Sequence, residues 1–104
     1  MVVYNKLVRD KIPQMIRAQG EIPRVRILEQ EEYLRHLEAK LDEETREYHR
    51  DKNIEELADI LEVILALAEG IGSSREELLE IYQKKHNARG GFRDRVYLIS
   101  KEEA

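Results

Sequence analysis

Residues 40–68 read KLDEETREYHRDKNIEELADILEVILALA, two helical patterns joined by a short polar break. Each pattern sets carboxylates among its apolar residues. The spacing predicts a first helix from about Gln30 to Arg50, with Leu34, Leu37, Leu41 and Tyr48 forming one buried stripe. At about 100° per residue Glu44 falls inside that stripe, Glu47 at its edge, and Glu43 well away from it. In the second helix Leu57, Leu61, Ile64, Leu65 and Ala68 make one stripe. Ile60, Val63 and Leu67 make another on the opposite flank, headed by Glu56, with Asp59 one turn along. A helix apolar on two sides is sandwiched between neighbours, and in so short a chain this predicts a subunit interface as well as a core.

Gathering several ionised carboxylates away from water is unfavourable, and a bound cation removes the conflict. An all-oxygen set suits Mg²⁺ or Mn²⁺ better than Zn²⁺. Periodicity does not choose the pairs, because Glu55 and Glu62 also lie within one turn of Asp59, and Glu43 within one turn of Glu47. A plain, solvated acidic helix pair fits the same spacing.

Outward from this stretch, the 104 residues suit a single domain spanning 1–104 with a modest core that oligomerisation would complete. The chain has no cysteine, which excludes a disulfide framework and thiolate zinc sites and leads us to expect a cytoplasmic protein. No apolar run approaches the roughly 20 residues of a membrane span. The opening MVVYNKLVRDK has no signal-peptide apolar region, so no secretory leader is expected.

The net charge of −4 conceals a segregation. Residues 29–83 hold six Lys or Arg against seventeen acids, whereas residues 1–28 hold six against two and residues 84–95 five against one. Basic ends folded over acidic helices would bring cation- and phosphate-binding groups to one place; a charge-segregated surface that promotes solubility is the alternative. Nucleic-acid binding through those ends is disfavoured by the acid excess and the lack of an aromatic-rich basic face.

The segment YNKLVRDKIPQMIRAQG predicts a lead-in and a short helix capped by Asp10, with Pro13 in its first turn and Gly20 as its stop. Lys6, Arg9 and Lys11 stand at or before its start, as an anion-binding group or a surface charge cluster. Arg24–Ile27 alternates polar and apolar residues, and Val96–Ile99 is its best mate, predicting a small peripheral β-ribbon. A further helix starts at Ser73 or Ser74, each heading a capping box, and ends near Gly90-Gly91. Leu78, Leu79, Ile81 and Tyr82 are expected to face inward. Its Lys85 and Arg89, four residues apart, suit phosphate oxygens or compensate the helix dipole. The three histidines read as surface residues, and no Ser, Cys or His constellation proposes a covalent nucleophile.

Three blocks together carry a resemblance: YNKLVRDKIP (Tyr4–Pro13), KLDEETREY through EELADILEV (Lys40–Val63), and K-x-x-x-RGGF (Lys85–Phe92). The chain resembles the all-α nucleotide pyrophosphohydrolase superfamily that includes MazG, dimeric dUTPases and phosphoribosyl-ATP pyrophosphohydrolase, and looks closest to short MazG-like proteins. That resemblance implies an all-α helical bundle, homodimeric or homotetrameric. It also implies a Mg²⁺-dependent hydrolase cutting between the α- and β-phosphates of a nucleoside triphosphate or a similar compound, for clearance of damaged nucleotides or within a pathway. The family's E-x-x-E matches Glu44 and Glu47, and its E-x-x-D matches Glu56 and Asp59, which makes these four the implied metal ligands. Glu44 or Glu47 is the implied proton acceptor. Lys85 and Arg89 are the first expected phosphate contacts, followed by Lys6, Arg9, Lys11 and Lys40. Two departures bear on substrate. Only eight residues separate Glu47 from Glu56, fewer than in MazG, and the second block lacks the histidine found in many phosphoribosyl-ATP enzymes. A phosphoribosyl-ATP substrate is therefore one alternative, and a non-catalytic helical dimerisation or regulatory module is the other.

Overall fold

The computed structural model describes residues 1–104 as an all-α chain of four helices: α1 (Ile12–Ala18), α2 (Gln30–Asp51), α3 (Ile54–Gly70) and α4 (Arg75–Arg89). Helices α2 and α3 form an antiparallel hairpin. Its turn is set by Lys52 in the left-handed region (φ 50°), whose N–H donates to Tyr48 O at 2.7 Å, and by Asn53, whose side chain accepts from Glu56 N at 3.1 Å. This closes one helix and opens the next within two residues.

The stripe headed by Glu56 is the one that packs on α2. Val63 is buried and Ile60 and Leu67 are partly covered, opposite Leu37, the most buried residue of α2. At the far end the helices come close because Gly70 has no side chain. A Cβ there would stand 2.8 Å from Leu34 Cδ2, and Gln30 Nε2 donates to Gly70 O at 2.7 Å.

The turn into α4 passes through Gly72 at φ 96°, a conformation that disfavours a Cβ. Ser74, not Ser73, is the N-cap: its hydroxyl oxygen accepts from Glu77 N at 3.1 Å, while the Ser73 hydroxyl donates to the Glu77 carboxylate. Helix α4 then runs to Arg89 and stops at Gly90, as its glycines predict.

Several expectations are corrected. Asp10 does not cap α1; Lys11 occupies that position without a side-chain cap bond, whereas Gly20, just past the C-cap Gln19 and at φ 86°, stops the helix as expected. No β-ribbon forms. Ile27, Val96 and Ile99 are all at least 86% exposed, and two short strands with no helix face behind them lack the burial that would hold them paired. Leu79, Ile81 and Tyr82 of α4 do not face inward within the chain; they are exposed, because α4 touches only α3.

The result is an elongated molecule of 67 × 32 × 21 Å with a radius of gyration of 18.7 Å, against roughly 13 Å for a compact chain of this length. Only Leu37, Val63 and Ala68 are buried, and none of them completely. The core is a strip between α2 and α3; of the other stripe of α3, Leu65 is partly covered and Ala68 buried, while Leu57, Leu61 and Ile64 are left open. No helix is long and apolar enough to cross a membrane.

Candidate metal centre

The α2–α3 hairpin sets two carboxylate pairs against each other. Glu44 and Glu47 stand one turn apart on α2, Glu56 and Asp59 one turn apart on α3, and oxygens of Glu44, Glu56 and Asp59 all lie within 4.8 Å of one another. The Asn53 cap fixes where α3 begins and hence the register at which Glu56 meets α2.

Two oxygens in the cluster, Glu44 Oε2 and Glu56 Oε2, are shut off from solvent and accept no hydrogen bond. Such orphaned acceptors are unfavourable unless a donor, a proton or a cation satisfies them. The electrostatics agree. Burial, the adjacent Glu47 carboxyl and the charge of Asp59 raise the Glu44 carboxyl to about 7, with Lys40 opposing. Glu56 is pushed up as well, first by burial and then by the charges of Glu47, Asp51 and Asp59. Glu47 stands near enough to act on both Glu44 and Glu56, but its oxygens are not among the three that converge, so of the four expected ligands the structure brings together Glu44, Glu56 and Asp59 and leaves Glu47 beside them. Carboxylates with no sulfur or imidazole among them fit a hard divalent cation such as Mg²⁺ or Mn²⁺.

The geometry chooses among the pairings that spacing leaves open. Glu43 is committed elsewhere: Lys6 Nζ donates to its Oε1 at 2.7 Å and Lys40 Nζ lies 3.4 Å from its Oε2, which holds its carboxyl below the usual range. Glu55 and Glu62 are exposed.

The predicted cationic residues divide in two. Lys6 and Arg9 come to the hairpin, Arg9 Nη2 bonding Asp59 Oδ1 at 2.6 Å. Arg9 and Lys40 line a cavity of about 480 Å³, together with Glu44 and Asp59. Lys85 and Arg89 do not line it; they are exposed on α4, and neither forms an ion pair. Lys11 is likewise exposed and unpaired. Thus only the amino end folds back over the acidic helices.

Sequence reasoning missed the other wall of this cavity, where Tyr33, Leu37, Val63, Leu65 and Ala66 supply apolar surface. It also missed Glu43 as an anchor, since no local signal links residues 37 positions apart. The volume is in the range of small-molecule sites, and apolar and charged residues share the lining, Asp10, Glu62 and Glu69 among the charged ones.

A protein of Mycolicibacterium smegmatis described only as uncharacterized is 55% identical to this chain over 42 residues, 40% of this chain and 43% of the relative. The match therefore spans less than half of that relative's length. No family model matches the chain, and no solved structure matches it.

Proposed function

We propose that the chain is a Mg²⁺-dependent nucleotide pyrophosphohydrolase, with Mn²⁺ as a substitute, that cuts between the α- and β-phosphates of a nucleoside triphosphate or related compound. The observation that carries this reading is the convergence of carboxylates from two helices with the Glu44 and Glu56 oxygens left without donors. The three sequence blocks described above supply the reaction class.

Glu44, Glu47, Glu56 and Asp59 would hold the cation. Bound there, it would neutralise charge on the phosphate oxygens and acidify a water. The chain's own groups do the rest. The Glu44–Glu47 pair takes the proton of the attacking water as its oxygen bonds to phosphorus and the bridging P–O bond breaks, releasing pyrophosphate and a monophosphate. Arg9 and Lys40, at the cavity wall, meet the phosphates, and the apolar wall around Tyr33 and Leu37 takes the nucleoside. Lys85 and Arg89 enter this scheme from a second copy of the chain, because in their own chain they stand outside the cavity. The absence of cysteine supports a cytoplasmic setting.

The test is to incubate purified protein with Mg²⁺ and a panel of standard and modified nucleoside triphosphates plus phosphoribosyl-ATP, assaying pyrophosphate and monophosphate. Asp59→Ala should lower turnover by more than about 100-fold, beyond the loss expected from a mere supporting residue, with helicity kept. Full activity in Asp59→Ala, or orthophosphate as the product, would sink the reading. The exposed apolar faces of α3 and α4 favour a second reading, a helical dimerisation module without turnover, which predicts no product from any substrate and no dependence on Asp59.

A further inference from the structure

The segment before α1 spans the mouth of the hairpin and is held at two points. Lys6 grips Glu43 on α2, and Arg9 grips Asp59 on α3, so the chain between them bridges the two helices. Only the second grip involves the carboxylate cluster: Asp59 supplies one of the converging oxygens, and Arg9 bonds that same carboxylate. Glu43 lies outside the converging group.

We propose that Arg9 is the resident counter-cation of the carboxylate cluster, and that a divalent cation entering between Glu44, Glu56 and Asp59 displaces its guanidinium and frees it for an anionic ligand. The inference rests in part on the cation site of the preceding section. A guanidinium and a divalent ion on one carboxylate repel each other at a separation well inside the screening length. The guanidinium is the one able to leave, since its side chain is 57% exposed and its segment has no regular structure. Lys6 keeps the segment tethered when Arg9 lets go, so the freed group stays at the cavity that Leu7, Val8 and Arg9 line. Its planar fork then matches two phosphate oxygens. Cation binding thus creates the anion receptor, and the two ligands bind in order and with positive coupling.

The experiment uses the full chain at pH 8 and no substrate. Mn²⁺ binding is measured by calorimetry in wild type, Arg9→Gln, Arg9→Lys and Asp59→Asn, and the Arg9 ¹³Cζ signal is followed by NMR as Mg²⁺ is added to wild type. Removing the competing charge should tighten Mn²⁺ binding by at least about 5-fold in Arg9→Gln, the low end of typical site-to-site coupling, and Arg9→Lys should stay near wild type. In wild type, Mg²⁺ should move the Arg9 ¹³Cζ signal toward its position in Asp59→Asn, where the ion pair is gone. If Asp59→Asn loses the ion but Arg9→Gln binds it no more tightly than wild type, this inference is overturned while the cation centre stands. If wild type binds no Mn²⁺ that Asp59→Asn removes, both fall.

Discussion

At Glu44 burial, the neighbouring Glu47 and the charge of Asp59 all act against ionisation, and only Lys40 acts for it. Its carboxyl titrates near 7 in the folded chain, well above its unfolded value, so between those two points the folded state holds more protons than the unfolded state. Stability therefore falls as pH rises through that window, and Glu56, also raised, adds in the same direction. Glu43 behaves oppositely. Lys6 lowers its carboxyl, so its contribution is full above the ordinary carboxylate range and is lost in more acid solution. In EDTA the Tm should therefore decline from pH 5 to pH 8, and Glu44→Gln should flatten most of that decline. Adding Mg²⁺ at pH 8 should raise the wild-type Tm and leave Glu44→Gln little changed. A wild-type Tm that is level or rising across this interval, measured by circular dichroism, would contradict the strain assigned to the cluster.

At the scale of elements, the hairpin turn does two jobs with one residue. Asn53 caps α3, and the amide it caps is that of Glu56, a member of the site. Asn53→Ala should cost about 1 kcal/mol of stability in urea titration and also weaken Mn²⁺ binding. An equal loss of stability from Ser74→Ala, which caps α4 far from the cluster in sequence, should leave Mn²⁺ binding unchanged. Leu37, only 4% exposed, is the central contact of α2 on α3. Leu37→Ala should cost about 2–3 kcal/mol, the lower part of the range for buried leucines, because the strip is open along one side and can partly collapse.

For the whole molecule, the length of 67 Å and the three buried residues describe a chain that has built one layer of a core and left the matching layer bare. Leu57, Leu61 and Ile64 on α3 and Leu79, Ile81 and Tyr82 on α4 are the bare surface. Large apolar side chains left bare in this number suit an interaction face. We expect a second copy to cover it, which would also supply the cationic residues of α4 to a neighbouring cavity. Leu61→Glu should then halve the mass seen by sedimentation velocity, or lower it further from a tetramer, with reduced stability. An unchanged mass, or a wild type that sediments as a monomer, would remove this face from the assembly.

The sequence by itself determined the helices, since propensity, capping and apolar spacing act over four residues or fewer: Gly20, the serines before α4 and Gly90 mark ends that the structure keeps. It also determined that carboxylates lie one turn apart on two adjacent helices. Helical spacing already turned Glu44 inward and Glu43 away from it; tertiary structure decided that Glu44 meets Glu56 and Asp59 and that Glu43 is taken by Lys6, because those partners depend on how the chain closes and not on either helix. It likewise placed Arg9 against Asp59, 50 residues away, and left Lys85, Arg89 and both expected strands without partners in the chain. Charge and alternation are local properties, whereas an ion pair or a ribbon exists only where the packing of other elements brings its two halves together and shields them from water.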